Sequence, residues 1–220
     1  LEVRDEAGNT TSLRRRITVD RTLKITSLSR TTFSPNGDGV HDAVTLRFRL
    51  TRAADVTATV TRAGAYVRTF SLRRLTAGAR SVTWDGRTGA DAGAASGSYS
   101  IKVTADGSVG VSSASRAVTV DLARPRLSAP ATATTRYGKT AKLAYDVRDG
   151  FSPRVNVSAT VVNAKGRMVA TIACGWVKQG RSHLCSWRPR ARGRYKVTFR
   201  ARDLGGNRQA ATVRTSLRVR

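Results

Sequence analysis

Glutamate is almost missing from this chain. Of 220 residues only Glu2 and Glu6 are glutamates, 14 residues are acidic in all, and histidine and cysteine occur twice each. Each scarcity excludes a chemistry. His41 and His183 have no serine or cysteine signature beside them, so no nucleophile is paired with a base, and neither a GxSxG nor a phosphate-loop string occurs. Asp146 and Asp149, the acids between Asp121 and Asp203, sit at a strand end and read as solvated turn residues, not as a working acid and base. The expectation is that the chain is not an enzyme. No apolar run approaches the roughly 18 residues of a membrane span, and no charged-then-apolar leader is visible. With Leu1 at its start, the sequence reads as an excised or processed piece whose export signal lies upstream.

What abounds is arginine. There are 33 Arg against 7 Lys, and the formal net charge is +26. Residues 1–121 hold a net +7 and residues 122–220 a net +19, so the second half is the basic one. A GC-rich coding sequence gives such a composition with no functional selection. The other reading is a surface kept positive for an anionic partner such as a cell-wall polymer. The densest run, RPRARGR, offers Arg188, Arg190, Arg192 and Arg194 as polyanion contacts. Nothing near it resembles a reading helix, a zinc finger or an RNA-binding sheet, so no specific nucleic-acid partner is expected.

Hydrophobic residues alternate throughout. Val44, Leu46, Phe48 and Leu50 point one way and Thr45, Arg47 and Arg49 the other; Leu143, Tyr145 and Val147, then Val155, Val157, Ala159 and Val161, repeat the pattern. No stretch carries a helical period over eleven residues. Such segments at close spacing predict an all-β fold of antiparallel sandwiches.

Three internal echoes divide the chain. ITVD (17–20) recurs as VTVD (118–121), an offset of 101 residues and one sandwich domain long. RDEAGN (4–9) recurs as RDLGGN (202–207), each time as a turn between hydrophobic segments. GSYSIKVTA (97–105) matches GRYKVTFRA (193–201), with a tryptophan upstream of both. The expected division is 1–22, whose turn resembles that before the final strand of tandem bacterial surface immunoglobulin-like repeats and so implies the last hairpin of a truncated upstream repeat; 23–122, a first immunoglobulin-like sandwich; and 123–220, a second of the same architecture, strongly basic. Trp84, Trp176 and Trp187 all stand in strand-like context and read as packing residues more than as sugar platforms.

The string FSPNGDGVHD, Phe33 to Asp42, is too rich in Pro, Asn, Asp and Gly to continue a strand, so it is an ordered loop that launches the next one. Together with VRTF (67–70), AGARSVTWDGR (77–87) and GSYSIKV (97–103) it resembles the immunoglobulin-like domain of the flagellar hook-capping protein, over about residues 23–122. Similar domains sit at the ends of bacterial exported and cell-surface proteins. The resemblance therefore implies a secreted or cell-surface location and attachment to upstream domains of the same parent protein; the chain is expected to be a monomer.

The loop itself leaves two readings open. Aligned with Asp-x-Asn-x-Asp-Gly calcium loops, it offers Ser34, Asn36, Asp38 and Asp42 as oxygen ligands for a weakly held Ca2+, the one cofactor the sequence suggests. Alternatively, Asn36 and Asp38 cap local backbone amides while Gly37 and Gly39 supply positive φ. Cys174 and Cys185 flank a turn at Lys178, Gln179 and Gly180, which predicts a disulfide across a hairpin; a zinc site using His183 lacks its remaining ligands.

The functional expectation is a non-catalytic structural spacer or adhesion module of an exported bacterial surface protein. The alternatives are a flagellar hook-assembly factor, or a polyanion- or carbohydrate-binding module.

Overall fold

The structure, a computed structural model, describes residues 2–14 and 21–220, and among them every regular element is a strand. The ITVD half of the 101-residue echo, 17–20, lies outside the described residues. Strands β1 (Glu2–Arg4) and β2 (Thr10–Ser12) pair as an antiparallel hairpin.

The first sandwich uses β3 (Leu23–Leu28), β4 (Thr32–Phe33), β5 (Val44–Leu50), β6 (Ala54–Arg62), β7 (Ala65–Leu75), β8 (Gly78–Trp84), β9 (Gly97–Gly107) and β10 (Gly110–Val120). They form a three-stranded sheet, β3-β5-β8, facing a five-stranded one, β4-β10-β9-β6-β7. The second uses β11 (Arg126–Ser128), β12 (Thr132–Thr135), β13 (Ala141–Arg148), β14 (Arg154–Asn163), β15 (Met168–Lys178), β16 (Arg181–Trp187), β17 (Gly193–Arg202) and β18 (Val213–Val219). Its sheets, β11-β13-β16 and β12-β18-β17-β14-β15, repeat the first topology strand for strand. In each unit one short strand pairs parallel to the last strand, β4 with β10 and β12 with β18, and all other pairs are antiparallel.

Alternation decides which face is inside. On β5, Val44, Leu46, Phe48 and Leu50 are buried while Arg47 and Arg49 stay in solvent; on β13, Ala141, Leu143, Tyr145 and Val147 are buried in the same way. Each fully buried Leu or Phe contributes roughly 2 to 3 kcal/mol of transfer free energy, and each unit closes its own core. The echo around the two tyrosines is a matching pair of corners. Tyr99 Oη donates to Ala95 O and Tyr195 Oη to Ala191 O, at 2.7 and 2.8 Å. Their rings lie 5.0 Å from Trp84 and 5.1 Å from Trp187. An acceptor offsets the cost of burying a phenol, and the carbonyl four residues upstream supplies one to each of these two.

Two expectations need correction. The Cys174–Cys185 bond is present, but not across a hairpin. β15 pairs with β14 and β16 with β13, so after Lys178 the chain crosses from one sheet to the other, with Gln179 N bonded to Pro153 O and Gly180 N to Val147 O. The disulfide thus staples the edges of two facing sheets. The second correction concerns the tryptophans. Trp84 is 1% exposed and core, whereas Trp176 is 43% exposed on the outer face of β15.

Candidate functional site

A densely bonded polar region lies where the two sandwiches meet. Its centre is Asn207, 3% exposed, at the end of the RDLGGN turn. Asn207 N and Nδ2 donate to Asp203 Oδ1 and Oδ2 at 2.8 and 2.9 Å, closing the turn on itself. The earlier copy of this turn is built alike, with Asn9 N and Nδ2 each 2.8 Å from the Asp5 carboxylate. Sequence echo and geometry coincide here, because a carboxylate four residues before an asparagine can accept from both its backbone and its side-chain nitrogen.

What differs is the surroundings. The Asp5 turn is exposed; the Asp203 turn is inserted between units. Asn207 Nδ2 also donates to Asp121 O in the link (2.8 Å), and Asn207 Oδ1 accepts from Ser34 Oγ (2.6 Å) and Asn36 Nδ2 (3.2 Å) of the first unit. His41, in the left-handed region at φ 59, places Nδ1 3.3 Å from Leu204 O. Gly206 has φ +95, and a Cβ there would lie 2.9 Å from Val40 Cγ1. Only glycine permits both that conformation and that approach.

The loop Phe33–Asp42 is held in shape by its own side chains. Asp42 accepts from Gly37 N and Gly39 N at 2.9 and 2.7 Å, Asp38 Oδ1 from Val40 N at 2.8 Å, and Asn36 Oδ1 from Asp38 N at 3.0 Å. Ser34 is fully buried and turned to the second unit. Of the four residues singled out as calcium ligands, two therefore reach across the junction, a role the loop's sequence alone did not signal.

A carboxylate cluster stands beside Asn207. Oxygens of Asp121, Asp149 and Asp203 all lie within 4.8 Å of one another. Asp121 and Asp203 are 0% and 2% exposed. Ser152 Oγ donates to Asp121 Oδ2 (2.6 Å) and receives Leu204 N (3.2 Å), and Asp149 Oδ1 accepts from Ser152 N and Phe151 N. Asp149 Oδ2 is buried with no hydrogen-bond partner among the described residues. Asp149 is therefore not the solvated turn residue its strand-end position suggests. The three come from a link, a β13–β14 loop and a β17–β18 turn, and no spacing rule joins them.

Burying like charges together is costly. Burial, opposed by the Asn207 hydrogen bonds and reinforced by the charges of Asp121 and Asp149, pushes the Asp203 carboxyl up to about 6. Burial likewise raises Asp121, against its bond from Ser152 and together with the charge of Asp149. Asp5, with the same asparagine bonds but in solvent, is lowered by them. The same turn titrates in opposite directions because only one copy is desolvated beside other acids. All-oxygen donors at this spacing suit a hard divalent cation, and a proton on Asp203 is the other way to balance the charge.

Arg188, Arg190 and Arg192 are exposed in the β16–β17 connection, and Arg194 is exposed at the start of β17. They stand at the far end of β17 from Asp203, about 30 Å away at the rise of a strand. Arg192 lies over the Tyr137 ring at 5.8 Å.

Residues 31–108 match the family model described as the FlgD Ig-like domain, a span inside the first sandwich that contains the Phe33–Asp42 loop. No curated protein matches the chain. Among solved structures, the chain is similar to a tetra-tandem repeat in the extending region of a large adhesion protein: 19% identity, 100% of this chain and 55% of that one, TM-score 0.40. It thus spans about half of that structure's length. It is also similar to three N-terminal domains of the highly immunogenic outer capsid protein of bacteriophage RB49 (12% identity, 90% and 70% covered, TM-score 0.44). A third likeness is to the D0-D1 domain of intimin (15% identity, 88% and 95% covered, TM-score 0.30).

Proposed function

We propose that the chain is a non-catalytic spacer segment of an exported bacterial surface protein, holding attached domains at a set distance and angle. The observation that carries this reading is the junction. Asn207 alone bonds to the first loop through Ser34 and Asn36, to the link through Asp121, and to its own turn through Asp203. Flexibly tethered domains have no need of a buried bridge of this kind, since domain motion is the ordinary state unless an interface opposes it. The disulfide supports an oxidising compartment, where such bonds persist. The FlgD Ig-like match in the first unit supports membership of a surface assembly over a role in catalysis. A hook-assembly role is less well supported, because the second sandwich and its disulfide lie outside the matched span.

Small-angle scattering tests the reading. Wild-type protein should scatter as one rigid two-domain body, and Asn207→Ala as two bodies in relative motion. Wild-type curves that demand independent domains would remove the spacer reading.

A further inference from the structure

We propose that a cleft of about 630 Å³ beside the junction binds an acidic oligosaccharide, a glycan whose sugar rings carry carboxylate groups. Its floor is the outer face of the larger sheet of the second unit. Trp176 on β15, Asn156 on β14 and Arg202 on β17 are direct cross-strand neighbours, so their side chains share that face, and Ser158 and Arg200 form the adjoining row. One wall is the segment 208–212, pinned to β17 by bonds from Gln209 N to Ala201 O (3.2 Å) and from Gln209 Nε2 to Phe199 O (3.0 Å). His41 of the first unit stands at the rim.

Three features select the ligand. Trp176 spends 43% of its surface on solvent, has no ring partner among the described residues, and its indole N–H makes no hydrogen bond within them. A large, flat apolar face with a free donor on its edge suits the C–H face and hydroxyls of a pyranose. Secondly, Arg200, Arg202 and Arg208 have no carboxylate partner; the ion pairs among the described residues involve only Arg68 and Arg87. Arg202 is steadied by Nε donating to Gly206 O, and the Asp203 carboxylate in the lining is turned to Asn207. Guanidinium groups without internal counter-ions match carboxylates in a forked geometry. Thirdly, the size lies within the range of about 300 to 1,000 Å³ for small-ligand sites, and Asn156 and Ser158 add neutral groups for hydroxyls. Single-stranded nucleic acid grips through a succession of aromatic platforms, and this face presents one.

The inference deepens the spacer reading by giving the segment something to rest on, and it fails separately from it. That reading is tested on the junction, this one on the cleft. Calorimetric titration of the full chain with trigalacturonic acid, its fully methyl-esterified form and a dT hexanucleotide supplies the measurement. The acid trimer should bind, and esterification should weaken it about tenfold or more, by removing the charge that the arginines meet. Trp176→Ala and the double change Arg200→Ala with Arg208→Ala should each cost about tenfold or more, while Trp176→Phe keeps most of the affinity. At about 0.15 M salt, replacing Arg188, Arg190, Arg192 and Arg194 together by Ala should change it less than about twofold, since the screening length there is about 8 Å and isolates charges that far apart. Near-UV circular dichroism checks that each variant keeps its fold. The proposal is overturned by no binding at low salt, by equal binding of the ester, by loss in the distant quadruple variant instead of in Trp176→Ala, or by tighter binding of the hexanucleotide.

Discussion

Ser34 Oγ donates to Asn207 Oδ1 at 2.6 Å, joining residues 173 apart in sequence and buried in two different sandwiches. Ser34→Ala leaves the Asn207 oxygen with only the longer bond from Asn36, at 3.2 Å. A loss of about 1 to 2 kcal/mol is expected in urea unfolding of the two-domain chain. Combined with Asn207→Ala in a double-mutant cycle, the pair should show a coupling of roughly 0.5 to 3 kcal/mol. Strict additivity would mean that this bond does not hold the junction.

Gly206 and Gly138 both have positive φ, +95 and +78, but a Cβ on Gly138 meets nothing within 4 Å, whereas one on Gly206 meets Val40 and His41. Gly138→Ala should cost about 1 kcal/mol for backbone conformation alone. Gly206→Ala should cost clearly more and loosen the junction in small-angle scattering. Equal costs would show that the approach of Val40 has no energetic consequence.

Acidification should stabilise the junction. Asp203 titrates near 6 in the fold against an ordinary value of 3.8, so between these values the folded state binds more protons than the unfolded chain. Its contribution is therefore greatest below about 4 and falls away as pH rises through about 6. Melting of the second unit should rise on going from pH 7 to pH 5, net of the changes at other groups. Asp149→Asn removes one repelling charge and puts an amide where an orphaned oxygen now lies. That variant should be more stable at pH 7 and show a smaller pH dependence; a decrease in stability at pH 7, in metal-free buffer, would contradict the charge argument.

Reduction should act on one sandwich only. Cys174–Cys185 closes a short loop between the sheet edges, worth roughly 2 to 4 kcal/mol. The first unit has the same β7-to-β8 crossing with no such bond. Differential scanning calorimetry of the Cys174→Ala and Cys185→Ala double variant should lower the transition of the second unit and leave that of the first in place. A shift of both would mean that the units melt as one.

Tyr145 is 1% exposed between Phe199 and His183, with a buried hydroxyl that has no partner among the described residues. Tyr145→Phe removes an unsatisfied polar group and keeps the ring. It should stabilise the second unit by about 1 kcal/mol in denaturant unfolding. A loss of stability would reveal a water or group that satisfies the hydroxyl.

Much of this molecule was legible as a string of residues. Alternation identified the core strands because a pleated strand sends successive side chains to opposite faces, so Val44, Leu46, Phe48 and Leu50 needed no partner strand to declare their side. The Asp-to-Asn turn was readable for a similar reason: its bonds span four residues and recur wherever that spacing does. The tertiary structure decided everything that required two distant segments to meet. It made Cys174–Cys185 a staple between sheets, because the choice between hairpin and crossing rests on whether β16 pairs with β15 or β13. It exposed Trp176 while burying Trp84, since which face of an edge strand is covered is decided by the sheet packed against it and leaves no mark on composition. It also drew Asp121, Asp149 and Asp203 together from a link, a loop and a turn, and so turned a carboxylate of ordinary acidity into one that titrates near 6. Local periodicity is a property of the chain; desolvation and proximity are properties of the packed object.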